Sequence, residues 1–430
     1  MSALENYPNY LRIWIFVVAL IILLITYKRS YFSDNALSKS STDVSSSNYY
    51  PSSCQTGDIK FREARFESGD NISDCSNKVI SRTDQLRIHL DQTNPNRTLC
   101  TGELLRAYVA RNDSFYGDGV WYVPEVPEDA QFYPDLCRFQ NSAASFRNCH
   151  NKGIRNILLS GDSNGRKYFN GLLNYFEQNR WKCTVTRKET SPGKQKEKRY
   201  FMVPEVPLEK LHVAERGCTH CTSETYKCRT TDQNSPSQEV WLEYIGMTHF
   251  VDSSLRLDSD MNGQFRNRLF SADTFLEYLL KYYLPHHGMP DLWILSSPIH
   301  HEVWGSKLSK FRADLLYFIN LLDIYWPSES QLIILPDIRE CPKMLPADAN
   351  YIIKQYLKST RNEKIHSMNQ VLYRVFGRFI TTPGNNIHGF LDLHKITCPV
   401  MCSWHEDGGH MKPFWYTKII YYLFQLLCLS

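Results

Sequence analysis

From Asn151 to the C-terminus the sequence predicts an α/β protein with a mostly parallel sheet covered by helices on both faces. Two observations carry that expectation. Strand and helix patterns alternate throughout this stretch, and its short apolar runs are bounded by turns, as buried parallel strands require. A third observation is the run from Ile154 to Phe176, IRNILLSGDSNGRKYFNGLLNYF, which joins a strand to a helix through a tight turn.

In that run Ile157, Leu158 and Leu159 read as the strand, and Phe169, Leu172, Leu173 and Phe176 share one face of the helix. Trp181 to Arg187 reads as a strand, Lys188 to Arg199 as a charged, solvated loop, and Val240 to Gly246 as another strand. A helix is predicted over Thr274 to Leu284, with Phe275, Leu276, Leu279, Leu280 and Tyr283 inward. The strand Asp291–Ser297 precedes a helix over Leu308–Ile324, and the strand Gln331–Pro336 precedes one over Asn362–Phe376. Gly389 to Leu393 reads as a last strand and Pro413 to Leu427 as a last helix, with Pro413 in its first turn. The apolar run from Ile419 is too short to span a membrane and is interrupted by Tyr421, Tyr422 and Gln425, so this helix is expected in the core.

Parallel sheets of this kind carry their sites at the carboxyl ends of the strands. Gly161-Asp162-Ser163 falls there, at the start of a helix whose free N–H groups favour developing negative charge. Two readings stand for it: Ser163 as a nucleophile, or Asp162 or Ser163 as a plain helix cap. Just before the last helix, Asp407 and His410 stand three residues apart, so one loop carries an imidazole and a carboxylate to orient it. His405 is a rival base and Glu406 a rival carboxylate.

GDSNGR with a late D-x-x-H resembles the SGNH/GDSL hydrolase superfamily, with its three-layer α/β/α fold. Arg166, the lead-in cysteines Cys137 and Cys149, and an N-terminal anchor resemble its PC-esterase branch more narrowly. That branch includes trichome-birefringence-like proteins, neurexophilin and PC-esterase domain proteins, and the lumenal domain of sialate O-acetyltransferases. The resemblance runs from about Trp121 to the C-terminus. It implies a catalytic triad of Ser163, Asp407 and His410, with the Ser163 and Gly246 N–H groups as oxyanion-hole candidates and Arg166 in support. The superfamily usually adds an Asn after the strand ending at Ser297. This chain has none there; two readings stand for His300 and His301, a substitute for that Asn or a solvent-facing loop, and a missing donor is worth about 2.7–4 kcal/mol. The resemblance further implies acyl transfer onto, or hydrolysis from, sugar hydroxyls through a Ser-linked intermediate, without a cofactor or metal. Its partners would be a glycan acceptor or acylated glycan, and an acyl donor, for instance one derived from acetyl-CoA, supplied by another protein. The competing expectation is a catalytically silent binding protein built on the same shell.

The N-terminal part is organised differently. Residues 1–12 form a polar head, and 13–27 an apolar segment of about the minimum length for a membrane span. No small-residue cleavage site follows, which favours a signal-anchor over a removed signal peptide. Arg12 against Lys28 and Arg29 gives a charge asymmetry opposite to the lumenal orientation, which is preferred here on other grounds. Residues 28–53 read as a Ser- and Asn-rich flexible stalk, 54–150 as a Cys-rich lead-in with no long helix, and 151–430 as the catalytic domain. Thirteen cysteines and the sequons at Asn71, Asn96 and Asn112 point to an oxidising, glycosylating lumen, the Golgi or another secretory membrane. The odd cysteine is assigned to Cys428 as a buried thiol. Cys218, Cys221 and Cys228 read as disulfide partners in an oxidising lumen rather than as zinc ligands with His220, because ligands at the adjacent positions 220 and 221 fit poorly around one ion. A net charge of +4 with 22% charged residues excludes a concentrated basic face for nucleic acid.

Overall fold

Four central strands are buried on both faces, and their successive side chains alternate between two helical layers. The computed structural model describes residues 78–93, 97–124, 126–139, 146–189, 223–231, 237–247, 250–251, 274–297, 307–341, 361–382, 385–389, 391–398 and 402–428. The head, apolar segment and stalk, Asn71, Asn96, Cys54, Cys75, Cys218, His220, Cys221, His300 and His301 lie outside them. In chain order the elements are β1 (Lys78–Ile80), α1 (Thr83–Thr93), α2 (Gly102–Asn112), β2 (Gly119–Tyr122), β3 (Gln131–Pro134), α3 (Phe146–Asn151) and β4 (Asn156–Gly161). Next come α4 (Ser163–Gln178), β5 (Trp181–Glu189), β6 (Ser223–Thr230) and β7 (Glu239–Gly246). A continuous helix α5 follows, with α-helical turns at Phe275–Tyr278 and Leu284–His287 around a π turn at Leu279–Tyr283. The rest are β8 (Leu292–Ser296), α6 (Leu308–Tyr325), β9 (Gln331–Leu335), α7 (Arg361–Thr381), β10 (Ile387–His388), α8 (Leu393–Thr397) and α9 (Pro413–Cys428).

The large sheet has seven strands in the order β10-β9-β8-β4-β7-β6-β5. From β10 to β7 every pairing is parallel; β6 is antiparallel to both its neighbours. Ile157, Leu159, Leu292, Ile294, Ile333 and Leu335 face one apolar layer with α4 and α9. Leu158, Trp293, Leu295, Leu332 and Ile334 face the other, with α5, α6 and α7. Successive strand residues point to opposite faces, so an unbroken apolar strand must be buried on both. All five residues of β8 are buried accordingly.

Three expectations are corrected. Gly389 to Leu393 is not a strand: the edge strand is Ile387–His388, and Asp392 caps α8 by accepting from the Lys395 N–H at 2.9 Å. The lead-in does contain helices, α1 and α2, of 11 residues each. In α2 only Leu105 and Val109 are buried, a stripe too thin to stand out as a period. The third concerns Cys428, which is disulfide-bonded to Cys149 across 279 residues of sequence. Cys100–Cys137, Cys183–Cys228 and Cys341–Cys402 are also bonded. All nine described cysteines are in disulfides.

The small sheet β1-β2-β3 is not an independent body. Trp121 from β2 is fully buried between Phe132, Trp404 and Trp415, and its indole N–H donates to the Ile396 carbonyl at 2.9 Å. The Phe132 N–H donates to the Tyr422 hydroxyl of α9 at 2.9 Å. The lead-in thus backs the segments that flank the loop before α9. No helix among the described residues is long and apolar enough to cross a membrane.

Candidate active site

The turn after β4 divides its work among three residues. Gly161 has φ +154°, and a Cβ there would sit 2.8 Å from the Ser296 Cβ and 3.0 Å from the Gly165 Cα. Only a glycine lets the strand end this close to β8 and enter α4 at once. Asp162 is the helix cap, its Oδ1 accepting from the Asn164 N–H at 2.9 Å. Ser163 is therefore free of capping duty; it is the first helical residue and is exposed. From β7 the buried Tyr244 hydroxyl lies 2.9 Å from the Gly161 carbonyl oxygen and 3.0 Å from that of Asp162, so it anchors the turn to the sheet.

The partner loop runs from Cys402 to Lys412 and has little regular structure. Its base is closed by backbone bonds from Glu406 N–H to the His410 carbonyl and from Lys412 N–H to the Trp404 carbonyl, both 2.7 Å. The Cys341–Cys402 disulfide ties its start to the segment after β9, and the Cys341 N–H donates to the Gly408 carbonyl at 2.7 Å. Gly408 sits at φ +86°, where a side chain would be strained. At its tip the Asp407 carboxylate accepts from the Gly409 N–H at 3.1 Å and the His410 N–H at 2.9 Å.

These two segments meet. His410 Nε2 is 2.7 Å from the Ser163 hydroxyl, and His410 Nδ1 is 2.8 Å from an Asp407 carboxylate oxygen. A carboxylate can only accept, so Nδ1 carries the proton and Nε2 is left as the acceptor for the serine O–H. Partial burial raises the Asp407 pKa, but the bonds from the imidazole and from two backbone N–H groups outweigh it and hold the carboxyl down at about 2. The anion that would stabilise an imidazolium is thus present across the physiological range.

The two rivals stand elsewhere. His405 is only 3% exposed, its Nδ1 has no hydrogen-bond partner among the described residues, and burial pushes its pKa down to about 4. Glu406 is paired with Lys167 of α4 at the surface. Arg166 is ion-paired with the buried Glu224 and lies over the Tyr244 ring at 4.7 Å, so it braces the turn from outside. Gly246 is in parallel register beside Gly161, and the next N–H, of Met247, donates to the Gly161 carbonyl at 2.7 Å. Asn112 is exposed at the end of α2. Cys228 is bonded to Cys183, which removes it from any zinc set. Among the described residues no group of three or more His, Cys, Asp or Glu could hold a metal ion.

Sequence reasoning missed the residues that hold these parts in place. On α7, Asn362 and Asn369 each accept from and donate to the backbone of one residue after β9, Glu340 and Asp337 respectively, at 2.9–3.1 Å. They pin the segment that carries Cys341. Their spacing of seven, two helical turns, was a visible signal, but its target was not. Nothing in the sequence around Tyr244 and Tyr416 marks their hydroxyls as anchors.

No family model matches the chain, and no curated protein matches it by sequence. Among solved structures it has a slight likeness to one titled "Peptidoglycan O-acetylesterase in action, 5 min". The TM-score is 0.33 at 10% identity, over 67% of this chain and 97% of that one, too slight to bear on chemistry.

Proposed function

We propose that the protein is a serine-dependent acyl hydrolase or acyltransferase of the SGNH type, with Ser163 as nucleophile, His410 as base and Asp407 as its orienting carboxylate. The continuous relay from Ser163 through His410 to Asp407 carries this reading. Ser163 attacks the acyl carbonyl while His410 Nε2 takes its proton. The oxyanion forms against the Ser163 N–H at the start of α4. As the tetrahedral adduct collapses, the imidazolium returns the proton to the departing oxygen and an acyl-serine remains. Water, or a sugar hydroxyl, then attacks with His410 again as base, giving hydrolysis or transfer from one intermediate.

Glycan hydroxyls as the substrate class, and acetyl as the acyl group, rest on the motif resemblance. Disulfides at every described cysteine support an oxidising compartment. We accordingly propose a single-pass protein of the Golgi or another secretory membrane, anchored through residues 13–27, with sugars at Asn71, Asn96 and Asn112. An endoglycosidase should then lower its apparent mass; an unchanged mass would contradict the lumenal assignment. The assembled relay argues against a silent binding module.

The test of the chemistry is hydrolysis of a chromogenic acetyl ester and release of acetate from an acetylated sugar. Triad members act as a unit, so Ser163→Ala and His410→Ala should each lower kcat by about a thousandfold or more, and the double variant should be little worse. Full activity in folded Ser163→Ala would overturn the proposal.

A further inference from the structure

The two halves of the proposed triad come from segments nearly 250 residues apart, and a buried hydroxyl joins them. Tyr416 lies in the first turn of α9 and is fully buried. Its hydroxyl accepts from the Met411 N–H at 3.0 Å and bonds Asn164 Oδ1 at 2.8 Å. Met411 follows His410, and Asn164 follows Ser163. A hydroxyl that accepts from an N–H still has its own proton to give, and the Asn164 carbonyl oxygen is the acceptor that takes it. Burial holds the phenol far above its ordinary pKa, so it keeps that proton at any working pH. The ring cannot shift freely. It stands edge-on to Tyr168 at 4.8 Å, and α9 crosses α4 at Gly171, where a Cβ would lie 2.7 Å from the Tyr416 carbonyl carbon.

On the reading that Ser163 and His410 form a catalytic pair, we infer that Tyr416 is the positioning residue that sets their separation. Each of its bonds fixes the backbone next to one reacting group. Neither helix packing nor the Cys341–Cys402 disulfide spans both sides in this way. A shift of about 1 Å between nucleophile and base is enough to cost a hundredfold in rate.

The experiment uses the full-length protein and a fluorophosphonate probe, with acetyl-ester kinetics alongside. Tyr416→Phe keeps the ring and loses both bonds. Labelling of Ser163 and kcat should fall together, roughly ten- to a hundredfold by the misplacement argument, with KM near wild type. The pH profile should move as well, because His410 no longer meets the serine at a fixed distance. Tyr168→Phe removes a neighbouring buried hydroxyl that faces the Trp415 indole and bonds neither Met411 nor Asn164, and should leave labelling at the wild-type rate. Should Tyr416→Phe fail to fold, Asn164→Ala deletes the acceptor, leaves the Tyr416 ring in place, and should slow labelling in the same direction. Wild-type labelling rates and pH profile in Tyr416→Phe or Asn164→Ala, with Ser163→Ala unlabelled, would overturn the inference and leave the triad standing. A wild-type protein that does not label at Ser163 would overturn both.

Discussion

The nucleophile turn and the acid–base loop reach the same point by opposite means. Ser163 is placed by continuity: β4 is flanked on both sides by parallel strands, and Gly161, Asp162 and the first turn of α4 follow within a few residues. Asp407 and His410 sit on a loop with almost no ladder of its own. They are placed by attachments from afar, namely the Cys341–Cys402 disulfide, the Cys341–Gly408 backbone bond and the Tyr416 hydroxyl. Damage to the first region should therefore unfold the sheet, whereas damage to the second should disarm the site and leave the fold.

The largest effect is expected at Gly161. Gly161→Val adds backbone strain and overlap with Ser296, each of about 1–3 kcal/mol, so urea should unfold the variant at a much lower midpoint. An unchanged midpoint would mean that β4 does not depend on this close approach.

Replacing the loop disulfide sharpens the contrast. A disulfide typically contributes about 2–4 kcal/mol, but Cys341→Ser with Cys402→Ser should keep a native far-UV spectrum while ester hydrolysis collapses. Loss of the spectrum in step with activity would place the loop within the cooperative fold and remove the distinction.

Acid should act on several regions through histidines buried without charge. Burial lowers the pKa of His405 and of His388 to about 4 and that of His394 to about 3. The unfolded chain takes up these protons near pH 6.5, so the stability is fully present above that pH and is lost as pH falls toward 4 and below. Asp407, held down at about 2, adds stability that is present above about 4 and is lost only as pH falls toward 2. The melting temperature should drop between pH 6.5 and 4, and His405→Gln should flatten that drop. A flat profile in the wild type would refute the neutral burial.

The smallest effect belongs to the surface pair across the two regions. Lys167→Ala or Glu406→Gln should change stability by no more than about 1 kcal/mol, and less at high salt. A large, salt-independent loss would show a further real tether.

The same contrast explains what could be read from the sequence. The helix at Ser163–Gln178 and those at Leu308–Tyr325 and Pro413–Cys428 announce themselves through apolar spacing, because each packs a wide face on the sheet. The fully apolar β8 and β9 do so by composition. The strand expected at Gly389–Leu393 failed because Leu391 and Leu393 alternate like a strand while Asp392 caps a short helix. The helices α1 and α2 escaped notice because they bury few residues. At the site, D-x-x-H was local enough to see. The bonds of Tyr416 to Asn164 and of Asn362 and Asn369 to the segment after β9 were not, because each joins residues that only the finished fold makes neighbours.

The most direct test of the account is to map the fluorophosphonate adduct by mass spectrometry on the folded protein. The account predicts one adduct per chain, on Ser163, absent from Ser163→Ala and formed far more slowly in His410→Ala but not in His405→Ala. An adduct on another residue, or a folded protein that stays unmodified, would contradict it.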